Sequence, residues 1–343
     1  MRVLVTGNLG YIGPVMVSAL LEAGHEVRGL DSGLFVDGRL EDGPAVPTLE
    51  RDLRDVQPDD LAGIDAIVHL ANLSNDPLGH LDPELTYAVN VAATVRLARL
   101  AREAGVRRFL NSSSCSAYGA AVQDWVDEGS EPHPVTPYGI SKIQAEGELA
   151  ALATDDFCVV SFRNATAFGY SPNLRTDLVV NDLVTGALLS GRIQLNSDGS
   201  AWRPLVHIRD IAQAFTLALG APAARINGAI INVGADEQNY KIIDVARAIA
   251  ELTPGATLSI AEGAGADKRS YRVRFDKIRA LLPGFTCAFD LRRGVDDLAA
   301  NLQRVHFSSA EGCVRLAHLQ RLREAGAVDA SLRFVARAEQ ATR

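Results

Sequence analysis

The stretch Val3-Leu4-Val5-Thr6-Gly7-Asn8-Leu9-Gly10-Tyr11-Ile12-Gly13 decides how the rest of the chain is read. A short apolar run with β-branched residues leads into three glycines, and Val15–Ala23 follows with helical spacing. Strand, tight glycine turn and helix, in that order, open a doubly wound α/β sheet. Gly7 permits the turn, Gly10 lets backbone approach a pyrophosphate, and Gly13 lets helix pack on strand. Tyr11 and Ile12 lie on the same expected contact surface. The helix N-terminus adds unpaired N–H groups and a positive dipole end suited to phosphates.

Outward from this unit the alternation continues. Strand-like runs fall at Val27–Leu30, Ala66–Leu70, Phe109–Asn111 and Cys158–Phe162, with helical patterns at Pro83–Ala104 and Tyr138–Ala153 between them. A parallel sheet requires such crossovers, and uniformly apolar strands fit one covered on both faces. The fold class expected is α/β: a Rossmann sheet with a smaller irregular α/β lobe at its carboxyl edge. Residues 1–165 read mainly as a dinucleotide-binding domain. Residues 166–305, richer in Gly, Pro, Asn and Asp loops, read mainly as a substrate lobe, with some segments returning to the sheet. Residues 306–343 read as a helical tail, with helix at Val314–Glu324 and a frayed end.

Composition narrows the function class. The chain has 343 residues, 47% hydrophobic and 22% charged, near the globular average. With 34 basic and 42 acidic residues the net charge is −8, which disfavours a nucleic-acid partner. No run approaches the ~18 apolar residues of a membrane helix, and Met1-Arg2 enters the first strand with no signal segment, so a cytoplasmic location is expected. The four cysteines form no C-x-x-C pair, so neither a metal site nor a disulfide framework is expected.

Asp31 ends the second strand, 18 residues after Gly13. A carboxylate there binds ribose hydroxyls and repels a 2′-phosphate, favouring NAD over NADP; the plainer reading is a cap on the Ser32-Gly33 turn. Tyr138 and Lys142 are one helical turn apart, on one face. For Tyr138 to act as a base near neutrality its pKa must fall by about 3 units, roughly 4 kcal/mol. A neighbouring ammonium and a nicotinamide cation can together supply that. The run Ser112-Ser113-Ser114-Cys115-Ser116 places Ser114 at the sheet's carboxyl edge, where its hydroxyl can hold a sugar oxygen.

With these motifs in order, residues 1–300 resemble extended short-chain dehydrogenases/reductases of the NAD-dependent epimerase/dehydratase family, of which UDP-glucose 4-epimerase is the familiar type. The resemblance rests on the glycine triplet, Asp52-Leu53, His69-Leu70-Ala71, Asn90-Val91, the serine run, Tyr138/Lys142, Arg163–Gly169 and Arg203–Asp210. It implies that Tyr138 is general base and acid, that Lys142 lowers its pKa and holds the nicotinamide ribose, and that Ser114 orients the substrate. It implies cofactor contacts at Asp52, Leu53, Leu70, Ala71 and Asn90. Substrate contacts are implied at Ser116, Asn164, Thr166 and Asn181, with Arg203 and Arg272 on a nucleotide diphosphate, a role suited to a bidentate guanidinium. His207 and Asp210 are expected to fix a turn and cap a helix starting at Ile211.

Three departures qualify the match. Cys115-Ser116 replaces the Asp-Glu pair of sugar 4,6-dehydratases, which argues against water elimination; Cys115 reads best as a small core residue. Thr166 replaces a usual Asn, and Pro204-Leu205 a usual Asp-Tyr pair. Leu73–His80 reads either as a sugar-site loop or as plain surface. The leading expectation is an NAD-dependent epimerase of a nucleotide-diphosphate sugar, oxidising the C4 hydroxyl transiently and re-reducing it on the other face. The alternatives are a 4-keto-sugar reductase or dehydrogenase, or an NAD-sensing regulator. The resemblance also suggests a homodimer through the helices Pro83–Ala104 and Tyr138–Ala153, whose Leu85, Val89, Ala92, Ala93, Leu97 and Leu100 offer more than one apolar face.

Overall fold

Seven parallel strands lie side by side in a computed structural model that describes residues 1–335, apart from Asn75, Val122, Lys268 and the side chains of Leu78 and Leu81. Five are β1 (Arg2–Thr6), β2 (Glu26–Asp31), β3 (Thr48–Glu50), β4 (Ala66–His69) and β5 (Arg108–Ser114). The strands Cys158–Asn164 and Ile230–Val233 complete the sheet beyond β5. Each strand expected from the sequence is present; β3 and Ile230–Val233 are additions. β1 pairs with β2 on one side and β4 on the other. Chain connections therefore diverge at its carboxyl end, which opens a crevice there.

Alternate residues feed two hydrophobic layers. Val3, Val5, Val68 and Val160 enter one cluster, while Leu4, Ile67, Phe109 and Val159 enter another on the opposite face. All seven residues of Cys158–Asn164 are buried, as a sheet covered on both faces requires.

Helix α1 (Gly13–Glu22) packs directly on the glycine turn. A Cβ at Gly13 would fall 2.3 Å from the Gly7 carbonyl oxygen. Gly7 itself has φ of +74°, a left-handed conformation that glycine adopts without strain.

The run expected at Pro83–Ala104 is a helix with a π-helical segment at Ala88–Ala93, between Pro83–Tyr87 and Thr94–Glu103. Such wide turns displace side chains from the regular helical register, often at functional sites. Asn90 lies inside the segment. Leu85, Ala93 and Leu97 are buried within this same chain, so the outer face of the helix is carried by Ala92, Arg96, Arg99 and Glu103. Of the other residues that pairing was expected to use, Ala92 is exposed and Val89 and Leu100 are partly exposed.

Beyond residue 165, Thr166–Phe168, Trp202–His207 and Asn239–Lys241 form a three-stranded sheet. The following helix spans Ile208–Gly220 and starts three residues earlier than expected, with His207 Nδ1 accepting from the Arg209 N–H. Asp210 lies inside its first turn and receives the N–H groups of Ala288 and Phe289, anchoring that loop instead of capping the helix. The tail carries the expected helix, at Arg315–Glu324, and packs Leu319, Val328 and Leu332 against Leu34, Leu73 and Leu85. Fraying was expected over about the last ten residues, of which 336–343 lie outside the described residues.

Candidate active site

One cavity of about 790 Å³ runs along the carboxyl edge of the sheet from the glycine turn to the second lobe. Of the residues expected to bind cofactor, Gly7, Gly10, Tyr11, Ile12, Asp31, Asp52, Leu53, Leu70, Ala71, Tyr138 and Lys142 line it. Gly13 and Asn90 do not. Gly13 serves by packing, as above. Asn90 is fully buried and clamps the loop at Leu73, accepting its N–H (2.8 Å) and donating to its carbonyl (3.1 Å).

Asp31 makes the turn contacts considered for it and also lines the cavity. Its carboxylate accepts the N–H groups of Leu9 and Gly33 at 3.0 and 2.9 Å, which ties β2 to the glycine turn, and it still faces the cavity. Burial pushes its carboxyl above the usual range. Asp52 is gripped by Arg54, whose Nη2 also donates to the Ser331 carbonyl of the tail (2.9 Å).

The catalytic candidates share the far end of the cavity. Thr136 caps the helix Pro137–Ala150, which presents Tyr138 and Lys142 on one face. Lys142 Nζ lies 5.5 Å from the Tyr138 ring centre and donates to the Ser112 carbonyl at 2.7 Å. Burial pulls the lysine down to about 7, partly opposed by Glu146. Burial also pushes the Tyr138 hydroxyl up to about 12, with Asp76 adding to the rise and Arg175 and a hydrogen bond to Ser114 opposing it. The sequence predicted an acidified phenol. The protein's own groups leave it less acidic than in water, because desolvation outweighs the nearby cations.

Beneath the lysine lies a closed ion pair. Glu146 accepts from Arg163 Nε (3.0 Å) and Nη2 (2.7 Å), and from the Ser113 hydroxyl. Both charged side chains are at most 3% exposed.

The substrate candidates divide. Ser114, Ser116, Asn164, Thr166 and Arg203 line the cavity, whereas Asn181 and Arg272 do not. Asn181 is fully buried and fixes Tyr11, Gly169 and the Arg175 carbonyl by hydrogen bonds. Arg272 is held outside the lining by Asp124 and lies between Trp125 and Trp202. Arg269, three residues earlier, takes the place in the lining and pairs with Asp267 and Asp76. Arg203 is paired with Asp267 at 2.7 Å. Cys115 is 1% exposed, its thiol pushed up by burial and donating to the Arg163 carbonyl, as a core residue would be.

The Leu73–His80 stretch belongs to the site. Leu73, Ser74 and Asp76 line the cavity, Asp76 accepts from Thr136 at 2.7 Å, and a short helix runs Asp76–Leu81; Asn75 and the Leu78 side chain lie outside the described residues. Sequence reading missed Arg175, Arg269 and Arg315. Each is delivered by an irregular loop or helix start that no motif marks.

Four buried polar atoms of the lining residues, Asn72 Nδ2, Ser116 Oγ, Asn164 Oδ1 and Arg315 Nη1, have no hydrogen-bond partner among the described residues. Buried polar groups are nearly always paired, so these atoms fit a cavity built around a polar ligand.

The comparisons agree with this geometry. Residues 3–234 match the model of the NAD dependent epimerase/dehydratase family. The UDP-glucose 4-epimerase of Mycolicibacterium smegmatis is 33% identical over 246 residues, covering 68% of this chain and 77% of that protein. The structure of MoeE5 in complex with UDP-glucuronic acid and NAD superposes with a TM-score of 0.78 at 28% identity, covering 89% of this chain and 99% of that one. The UDP-glucuronic acid 4-epimerase of Bacillus cereus shares the fold, with a TM-score of 0.77 at 23% identity over 89% of this chain and all of that one. The chain belongs to the NAD dependent epimerase/dehydratase family.

Proposed function

We propose that this protein is an NAD-dependent nucleotide-sugar epimerase that inverts C4. One observation carries the reading: Tyr138, Lys142 and Ser114 converge in the same cavity as the glycine turn. NAD, when bound, supplies the redox couple that accepts hydride from the sugar carbon and returns it. The glycine turn, Asp31 and the start of α1 would hold it, and Lys142 would face its nicotinamide ribose.

The chain's own residues then have these tasks. Ser114 orients the reacting hydroxyl, and Tyr138 takes its proton and later gives it back. Tyr138 needs further positive charge nearby, because burial and Asp76 outweigh Arg175 and Ser114 and leave it at about 12. Lys142 Nζ stands 5.5 Å from the Tyr138 ring centre, and Glu146 supports the ammonium form of the lysine. Arg203 and Arg269 would face the diphosphate; both line the cavity and pair with the Asp267 carboxylate, and a guanidinium suits anionic oxygens. Cys115 is too deeply buried to act as an acid in water elimination, which fits epimerisation better than 4,6-dehydration.

We also propose a homodimer through the Pro83–Glu103 and Pro137–Ala150 helices; a monomer by sedimentation at micromolar concentration would contradict it. No helix among the described residues is long and apolar enough to cross a membrane. All four cysteines are free, which fits a reducing cytoplasm.

The test is direct. NAD-loaded protein given UDP-glucose or UDP-glucuronic acid should yield the 4-epimer with no net change in nicotinamide absorbance. A keto-sugar reductase would consume added NADH as product formed. Tyr138→Phe should lose turnover by at least about 10²–10⁴ while still binding NAD; undiminished turnover would remove the tyrosine from the mechanism.

A further inference from the structure

The carboxyl-terminal helix Arg315–Glu324 is no part of the sheet, yet its first residue reaches the wall of the dinucleotide cavity. Arg315 is 3% exposed. Its Nη2 donates to Asn173 Oδ1 at 2.9 Å and to the Asn173 carbonyl at 3.3 Å. Asn173 Nδ2 in turn donates to the carbonyls of Leu9 (2.6 Å) and Phe35 (3.0 Å). The guanidinium is thereby pinned between the glycine turn and the loop after Asp31, with its carbon 4.3 Å from the Phe35 ring centre.

Its other terminal nitrogen, Nη1, is buried and has no hydrogen-bond partner among the described residues. A buried guanidinium with an unmet donor is costly. Arg175 lies near enough to add repulsion, and burial with that repulsion outweighs the opposing Asp177, Cys313 and Asp31 and pulls Arg315 down to about 10. A guanidinium tied to the glycine turn through Asn173, with one donor unmet at the cavity wall, makes a setting that an anionic oxygen completes.

We infer that Arg315 is a cofactor-binding residue whose free guanidinium nitrogen donates to a pyrophosphate oxygen of the dinucleotide, making the carboxyl-terminal helix part of the NAD site. The inference rests on the NAD reading above. The rest of the tail holds the helix there: His318 Nε2 lies 2.8 Å from the Leu34 carbonyl oxygen, and Ser331 and Leu332 line the same cavity. The family model ends at residue 234, so it assigns nothing in this segment.

Calorimetric titration of the cofactor-stripped protein with NAD, ADP and adenosine tests it. Arg315→Gln should weaken NAD and ADP about 10- to 100-fold and leave adenosine unchanged. Arg315→Lys should fall between, keeping charge but losing the fork. Should the glutamine variant fail to fold, hydrogen exchange on the wild-type protein answers the same question: ADP should protect the Arg315–Glu324 amides and adenosine should not. NAD binding as tight in Arg315→Gln as in wild type, an equal loss for adenosine and ADP, or exchange that ADP leaves unchanged would each overturn the arginine's role. Absence of NAD binding by the wild-type protein would overturn the cofactor reading itself.

Discussion

Replacing Glu146 by Gln should damage stability and the pH profile together. The carboxylate is 2% exposed and Arg163 3% exposed, with Nη2 to Oε2 at 2.7 Å. Removing one partner of such a pair leaves the other buried and uncompensated, which costs about 3–5 kcal/mol. With a urea slope of about 3 kcal/mol/M, the unfolding midpoint should fall by about 1 M or more. The chemistry should move as well. Glu146 is the group that holds Lys142 up against burial, which has already pulled the lysine to about 7. Without that carboxylate the ammonium is lost at lower pH, so the alkaline limb of turnover should shift downward. The double variant Glu146→Gln/Arg163→Met should recover much of the stability, since both buried charges are gone, but not the shifted limb. A single variant with unchanged midpoint and unchanged profile would refute both halves of this reasoning.

Gly13→Ala puts a methyl 2.3 Å from the Gly7 carbonyl oxygen, backbone that cannot give way; thermal melts should show a large loss of stability and titration a large loss of NAD affinity. Lys142 titrates near 7 when folded but near 10.4 when unfolded. Between those values the unfolded chain binds the extra proton, so this lysine makes stability rise with pH across that window. Urea midpoints of Lys142→Met measured from pH 7 to 10 should show a flatter slope than wild type; equal slopes would refute the assignment. Asp31→Ser removes the charge that repels a 2′-phosphate, and the preference for NAD over NADP should fall by about tenfold or more in competitive titration; an unchanged ratio would mean that Asp31 serves only as the cap on Leu9 and Gly33.

Local spacing and chemistry were sufficient for the parallel sheet, the glycine turn, Asp31 and the Tyr138/Lys142 pair. A strand–turn–helix and an i, i+4 pair are short-range geometries that adjacent residues dictate, whatever surrounds them. Register in the second lobe was not legible, and Arg269 lines the cavity where Arg272 was expected. The loop between the lobe's strands carries no periodic pattern, and its register depends on Trp125 and Trp202 capturing Arg272 from distant segments. Asn90 and Asn181 were placed near the ligand by resemblance; packing makes them internal clamps, because a π segment and a buried helix face turn them inward.

Only the tertiary structure decided the charge state around the phenol and the reach of the tail. A pKa is set by everything that excludes water from a group as well as by its charged neighbours, and at Tyr138 burial outweighs the opposing Arg175 and Ser114. Arg315 lies more than 300 positions from the glycine turn it adjoins, a proximity made by packing Leu319 and Leu332 under Leu34 and Leu73. Spacing along a chain encodes neighbours within a helix or turn; contacts between its two ends exist only once the core that joins them has closed.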